Sequence, residues 1–244
     1  MSFIKPKLWQ IPTPNNEVIA SLEDKVQTLT ERLQQIAQQH QQARFASSLA
    51  VEDMLITDII AKQHLPIQVF TLDTGLLHSE TLDLLQQIPH IYPHLAFQIF
   101  QPQADKAEQF VQEFGKQAYY ESVALRKQCC YIRKIEPLNR ALEGADAWLT
   151  GQRREQSVTR TELAFAEQDE ARAMAKYNPI FDWSEQQVWA YILHYQVPYN
   201  PLYLQGFPSI GCDPCTRPVK EGEDIRAGRW WWENKDSKEC GLHK

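Results

Sequence analysis

The stretch ARFASSLAVEDMLITDIIAKQHLPIQVFTL, residues 43–72, decides the fold. Residues 43–47 read as a short strand, residues 51–63 as a breaker-free, aliphatic helix, and residues 67–72 as a second strand rich in β-branched and aromatic side chains. The alternation continues outward. Residues 78–88 predict a helix, 96–100 a third strand, 106–114 a helix, and Pro137 sits in the first turn of a helix running to about Glu143. Residues 147–150 predict a fourth strand, 163–167 and 174–177 later ones, and 183–195 a helix capped by Asp182 or Ser184. Strands alternating with helices imply an α/β fold: an open, mainly parallel sheet with helices on both faces. Ligands of such sheets sit beyond the carboxyl ends of the strands, where the loops 47–53, 72–75 and 150–157 fall.

Toward the N-terminus, residues 17–42 predict one helix. Ile19, Leu22, Val26, Leu29, Leu33 and Ile36 alternate spacings of three and four along a single stripe. Two readings stand side by side: a coiled-coil seam, which leaves a homo-oligomer open, or a helix laid on the core of its own subunit. Toward the other end the pattern fades after Val197. Five prolines between Pro198 and Pro218 and the run Trp230, Trp231 and Trp232 mark a loop-rich C-terminal tail.

A chain of 244 residues, 43% hydrophobic, is long enough to bury a core without disulfide staples. No apolar run reaches the ~18 residues of a membrane span. The first residues, MSFIKPKLWQIPTPNN, carry neither a secretory nor a transit pattern, so a cytoplasmic protein is expected. A formal net charge of −6 argues against general nucleic-acid binding, which needs a broad basic surface. It leaves room for a small anion held by a few converging cations.

Five cysteines in such a chain point to metal or catalysis rather than to disulfides, and an odd number cannot all pair. Cys129 and Cys130 are adjacent; Cys212 and Cys215 have the two-residue spacing of zinc and iron–sulfur sites. Four thiolates suit a [4Fe–4S] cluster or structural zinc alike. Cys240 stands alone, with Lys238 and His243 nearby to favour its thiolate and Glu239 to oppose it.

Together these residues resemble the assimilatory adenylyl-sulfate reductases, within the phosphoadenylyl-sulfate reductase family. The segments that carry the resemblance are CCYIRKIEPL (129–138), TGQRREQS (150–157), IGCDPCTRP (210–218), GRWWWE (228–233) and ECGLH (239–243). Weaker matches are Ser47–Ser48 with Glu52–Asp53, and LDTG at 72–75. The resemblance implies a fold like that of the adenine-nucleotide α-hydrolases and ATP pyrophosphatases. It runs from about residue 43 to the end and implies a single reductase domain with an α/β core holding the iron–sulfur site (43–225) and a mobile catalytic tail (226–244); the N-terminal helical extension (1–42) lies outside it.

The reaction implied is thioredoxin-dependent reduction of adenosine 5′-phosphosulfate to sulfite and AMP, through an S-sulfocysteine, in sulfate assimilation. Cys240 would be the nucleophile, and Cys129, Cys130, Cys212 and Cys215 the ligands of a [4Fe–4S] cluster. Lys134, Arg160, Arg226 and Arg229 would meet the phosphosulfate, and Ser47, Leu72 and Gly151 the nucleoside. Arg153 and Arg154 are secondary candidates. A thioredoxin or a glutaredoxin-like dithiol would be the electron donor.

Other readings remain at this point: reduction of the 3′-phosphorylated nucleotide or of both, a zinc-stabilised nucleotide-binding protein, and an ATP pyrophosphatase relative. Against the last, the loop SSLAVED (47–53) lacks the glycines with which backbone amides wrap a pyrophosphate.

Overall fold

The structure is a computed structural model that describes residues 6–156 and 162–234. Those residues form a six-stranded sheet built from β1 (Ala43–Ala46), β2 (Gln68–Leu72), β3 (Phe97–Phe100), β4 (Ala147–Leu149), β5 (Ala166–Asp169) and β6 (Met174–Tyr177). The strand order is β3-β2-β1-β4-β6-β5, with every neighbouring pair parallel except β5 and β6. The expected mainly parallel α/β sheet is therefore present. Strand order reverses at β1, which pairs with β2 on one side and β4 on the other. That switch point opens a crevice at the carboxyl ends of β1, β2 and β4.

The helices are α1 (Asn16–Ala20), α2 (Leu22–Gln39), α3 (Val51–Lys62), α4 (Ser79–Ile91), α5 (Ala104–Phe114), α6 (Val123–Cys130), α7 (Glu136–Ala141) and α8 (Glu185–His194). Helix α3 is aliphatic nearly all round because it is covered nearly all round. Met54, Leu55, Ile56, Ile59 and Ile60 are buried between the sheet and α8. A full capping box starts α8: Ser184 accepts from the Gln187 backbone amide, and the Gln187 side chain accepts from that of Ser184.

Three expectations change. The single helix at 17–42 is two, broken at Ser21, whose hydroxyl bonds back to the Val18 carbonyl (3.2 Å). Most of its stripe lies on the core: Leu22, Leu29, Leu33 and Ile36 are buried within the main hydrophobic cluster and Val26 packs against it, while Ile19 is exposed. The strand expected at 163–167 lies at Ala166–Asp169 and runs antiparallel to β6, because the connection to Met174 is too short for a crossover. Finally, the helix begun by Pro137 is the last segment of a longer rod. Helix α6, capped by Ser122, passes through a π turn at Tyr131–Ile135 directly into α7.

The chain beyond α8 wraps the carboxyl edge of the sheet in short turns, as the loss of periodicity after Val197 predicts. Leu8 pairs with Lys220, Leu77 with Cys212, and Thr216 with Arg229. Among the described residues no helix is long and apolar enough to cross a membrane.

Candidate active site

The loop after β1 shows how a glycine-free sequence turns at the switch point. Leu49 takes a left-handed conformation (φ +62°) with its side chain buried. Several of the loop's amides are already engaged. Ser48 donates its backbone N–H and its hydroxyl to Asp53 Oδ2 (2.7 and 2.6 Å), Leu49 N–H reaches Ser47 Oγ (3.3 Å), and Val51 N–H reaches the Tyr203 hydroxyl (3.1 Å). Amides committed in this way do not cradle a pyrophosphate, which argues further against an ATP-cleaving site. Burial pushes the Asp53 carboxyl up to about 7, against the lowering effect of the Ser48 hydrogen bonds.

Gly151, just beyond β4, packs against this carboxylate; a Cβ there would overlap the Asp53 side chain. The two secondary candidates have structural partners. Arg153 is buried and bonds Glu52 Oε1 through Nε and Nη2 (3.1 and 2.8 Å), while Arg154 bonds the Leu163 carbonyl and stacks on Phe181.

Two adjoining cavities fill the crevice, and Ala46, Ser48, Ile210 and Arg229 line both. The first, of about 200 Å³, is bounded by Ser47, Leu72, Lys134, Cys212 and Arg229. The second, of about 190 Å³, is bounded by Asp53, Gly151, Arg226 and Arg229. Six of the seven expected nucleotide residues thus converge on one crevice; the seventh, Arg160, lies outside the described residues, as does Cys240.

Sequence reasoning missed the apolar wall of the first cavity, made by Phe70, Leu138 and Trp148. The signal was there: along β4, Ala147 and Leu149 face the main core while Trp148 faces the other way.

The four paired cysteines gather at one corner. Cys129 and Cys130 end α6, Cys212 and Cys215 bracket a single 3₁₀ turn, and all four are buried. Burial pushes the Cys129 thiol up to about 11, with Cys130 and Cys212 adding to the shift and Arg133 and Lys134 opposing it. Burial likewise raises Cys215 to about 12, reinforced by Cys212 and Cys130 and opposed by Lys134 and Arg229. The thiols are therefore mutual neighbours ringed by cations. Thr74 Oγ1 lies 3.2 Å from the Cys212 sulfur.

No group of three or more His, Cys, Asp or Glu among the described residues is spaced to hold a single metal ion. One tetrahedral zinc would draw its sulfurs to roughly 3.8 Å of each other. A four-iron cluster takes each thiolate at a different iron and suits a wider set. The Trp230 indole N–H is also buried beside Cys212 and Cys215 and has no hydrogen-bond partner among the described residues. A buried donor beside two of the four thiols matches the acceptor sulfurs of an iron–sulfur cluster, so the residues fit that group.

Arg229 reaches the crevice across Gly211, where a Cβ would come within 2.6 Å of the guanidinium carbon, and Nη1 donates to the Ile210 carbonyl (3.1 Å). Close approach rather than backbone angle favours glycine there, since a side chain at 211 would push the Arg229 guanidinium aside.

The fold and this crevice agree with what the chain resembles among known proteins. A profile of the phosphoadenosine phosphosulfate reductase domain matches residues 42–218. The adenosine 5′-phosphosulfate reductase of Neisseria meningitidis serogroup A is 64% identical over the whole of both chains. Among solved structures, the phosphoadenylyl-sulfate reductase of Candida auris, in complex with phosphate, is similar with a TM-score of 0.67 at 26% identity, covering 84% of this chain and 98% of that one. The NH3-dependent NAD synthetase of Campylobacter jejuni, at 10% identity and a TM-score of 0.52 over 76% of this chain and 77% of that one, shares the fold alone. With its sheet order, its crevice and a matched domain spanning most of its length, the chain belongs to the phosphoadenosine phosphosulfate reductase family.

Proposed function

We propose that this protein reduces adenosine 5′-phosphosulfate to sulfite and AMP in sulfate assimilation. One observation carries the reading. In a chain alike from end to end to a protein named for that activity, Lys134 and Arg229 converge on an apolar, nucleoside-sized cavity whose wall includes Cys212. Phe70, Leu138 and Trp148 offer a surface for a base, with Leu72 and Ser47 at the strand ends to bond its edges and the ribose. Lys134, Arg226 and Arg229 supply cations that stabilise the charge on the departing phosphate, and Arg160 joins them in this reading.

The chemistry assigned to Cys240 rests on its sequence context. Its thiolate attacks the sulfate sulfur, the bond from sulfur to the phosphate oxygen breaks, AMP leaves, and an S-sulfocysteine remains. A dithiol donor of the thioredoxin or glutaredoxin type attacks the cysteine sulfur and releases sulfite. Its second thiol then closes the donor's disulfide and restores Cys240.

Cys129, Cys130, Cys212 and Cys215 would hold the [4Fe–4S] cluster, which when bound contributes a fixed negative charge beside the substrate cations. Within the chain itself, Lys134 on the π turn and Arg229 on the C-terminal strap stand near these sulfurs and also line the substrate cavity.

Mass spectrometry of the protein mixed with adenosine 5′-phosphosulfate without reductant should show an adduct of about 80 Da, an SO₃ group, on Cys240. Sulfite release by Cys240→Ser in the presence of reduced thioredoxin would overturn the assignment. Rates with the 3′-phosphorylated nucleotide, measured under the same conditions, give the substrate preference.

A further inference from the structure

The segment that carries Arg229 is fastened from behind by an ion pair that lines neither cavity of the crevice. Arg126 lies on α6, four residues before Cys130, with a fully buried side chain. It meets Glu233, whose side chain is only 3% exposed, in a two-bonded fork: Nε to Oε1 at 2.8 Å and Nη2 to Oε2 at 2.7 Å. The same guanidinium also hydrogen-bonds the Cys130 side chain.

Trp230 is in contact with both this fork and Arg229. The Arg126 guanidinium carbon is 4.8 Å and that of Arg229 4.9 Å from the centre of its ring. Trp230 is 1% exposed and has a backbone φ of +42°, a conformation that a bulky L-residue adopts only when its surroundings dictate it.

Stability alone does not account for such a pair, because replacing a buried ion pair by apolar groups is often neutral or stabilising. Electrostatics gives it a task. Two guanidiniums stacked on one buried indole repel each other, and Glu233 neutralises the one farther from the crevice. The other, Arg229, faces both cavities. The fork also fixes the strained tryptophan from which Arg229 projects, one residue earlier in the chain.

We propose that Arg126 and Glu233 are positioning residues for Arg229, a clasp that joins the cysteine-bearing helix to the C-terminal strap and holds the substrate guanidinium in place through Trp230. The proposal rests on the reading of the crevice as an adenosine 5′-phosphosulfate site.

The test measures equilibrium binding of adenosine 5′-phosphosulfate in the Cys240→Ser background, where turnover is blocked, with iron content and visible spectrum recorded for each protein. Arg126→Lys keeps the charge but loses the fork, and it is expected to weaken binding about tenfold at unchanged iron content. Arg229→Ala should weaken it at least as much, and the double variant no further than Arg229→Ala alone, since the clasp acts through that residue. Glu233→Gln, which keeps the shape and removes the charge, should reproduce the loss and serves in place of Arg126→Lys if that variant does not fold. Native-like affinity in these variants, or a double variant whose loss is the product of the single losses, would overturn the clasp. Failure of the Cys240→Ser protein itself to bind the nucleotide would instead remove the functional reading on which it stands.

Discussion

Asp53 shows how much one side chain settles. Its carboxylate closes the loop after β1 onto itself and occupies the Ser48 amide, which is then not offered to a phosphate. The carboxyl titrates near 7 because burial outweighs those hydrogen bonds. A pKa raised on folding means that the folded state holds the proton more tightly than the unfolded chain. The associated stability is complete below the unfolded value of 3.8 and is lost as pH rises through about 7. Asp53→Asn removes the titration while leaving an oxygen to accept from Ser48. Its stability relative to the native protein should therefore rise between pH 5 and pH 8, by on the order of 3 kcal/mol. Thermal melts at the two pH values measure this. A difference that stays flat would mean that the Ser48 bonds hold the carboxylate charged throughout.

At the scale of elements, what the sequence made legible was what periodicity and chemistry encode. The strand–helix–strand unit at 43–72, helix α8 and the cysteine pairs each carry a local signal that tertiary contacts only reinforce. The rod from α6 to α7 carries a mixed one. Pro137 cannot donate to the carbonyl four residues back, that of Arg133, and so reads as a helix start. The chain accommodates it instead by widening the preceding turn to π geometry, which places Lys134 and Arg133 on the wide turn just after the cysteines. A single sequence does not distinguish a break from a bulge. Where the signal is local, so is its energy. Ser184→Ala deletes one arm of the α8 capping box and should cost about 1 kcal/mol in denaturant unfolding. Nucleotide affinity should remain native, because neither Ser184 nor Gln187 lines either cavity.

Over the whole molecule, the site is assembled from segments far apart in sequence, and this is why only part of it could be read in advance. Leu72 at the end of β2, Lys134 on the π turn, Gly151 just past β4 and Arg229 on the C-terminal strap are four separate segments that meet because β1 lies between β2 and β4. Motifs supplied the residues. The Trp148 wall and the Arg126–Glu233 fork depend on packing directions and on a pair 107 positions apart, which no local pattern reports. The N-terminal helix teaches the same lesson. Its stripe was visible, but its partner was not, and the partner proves to be the chain's own core. Arg32 strengthens that docking with a two-bonded contact to Asp182, just before α8 (2.7 and 3.0 Å). Although α2 contributes no residue to the crevice, it is part of the structure that holds the crevice open. Leu33 has no exposed surface and sits amid the main cluster, so Leu33→Ala should leave a cavity and cost roughly 2–5 kcal/mol in urea unfolding. Binding of adenosine 5′-phosphosulfate to the folded variant should be unchanged. A cost below ~0.5 kcal/mol, as at a surface position, would show that α2 is an appendage after all.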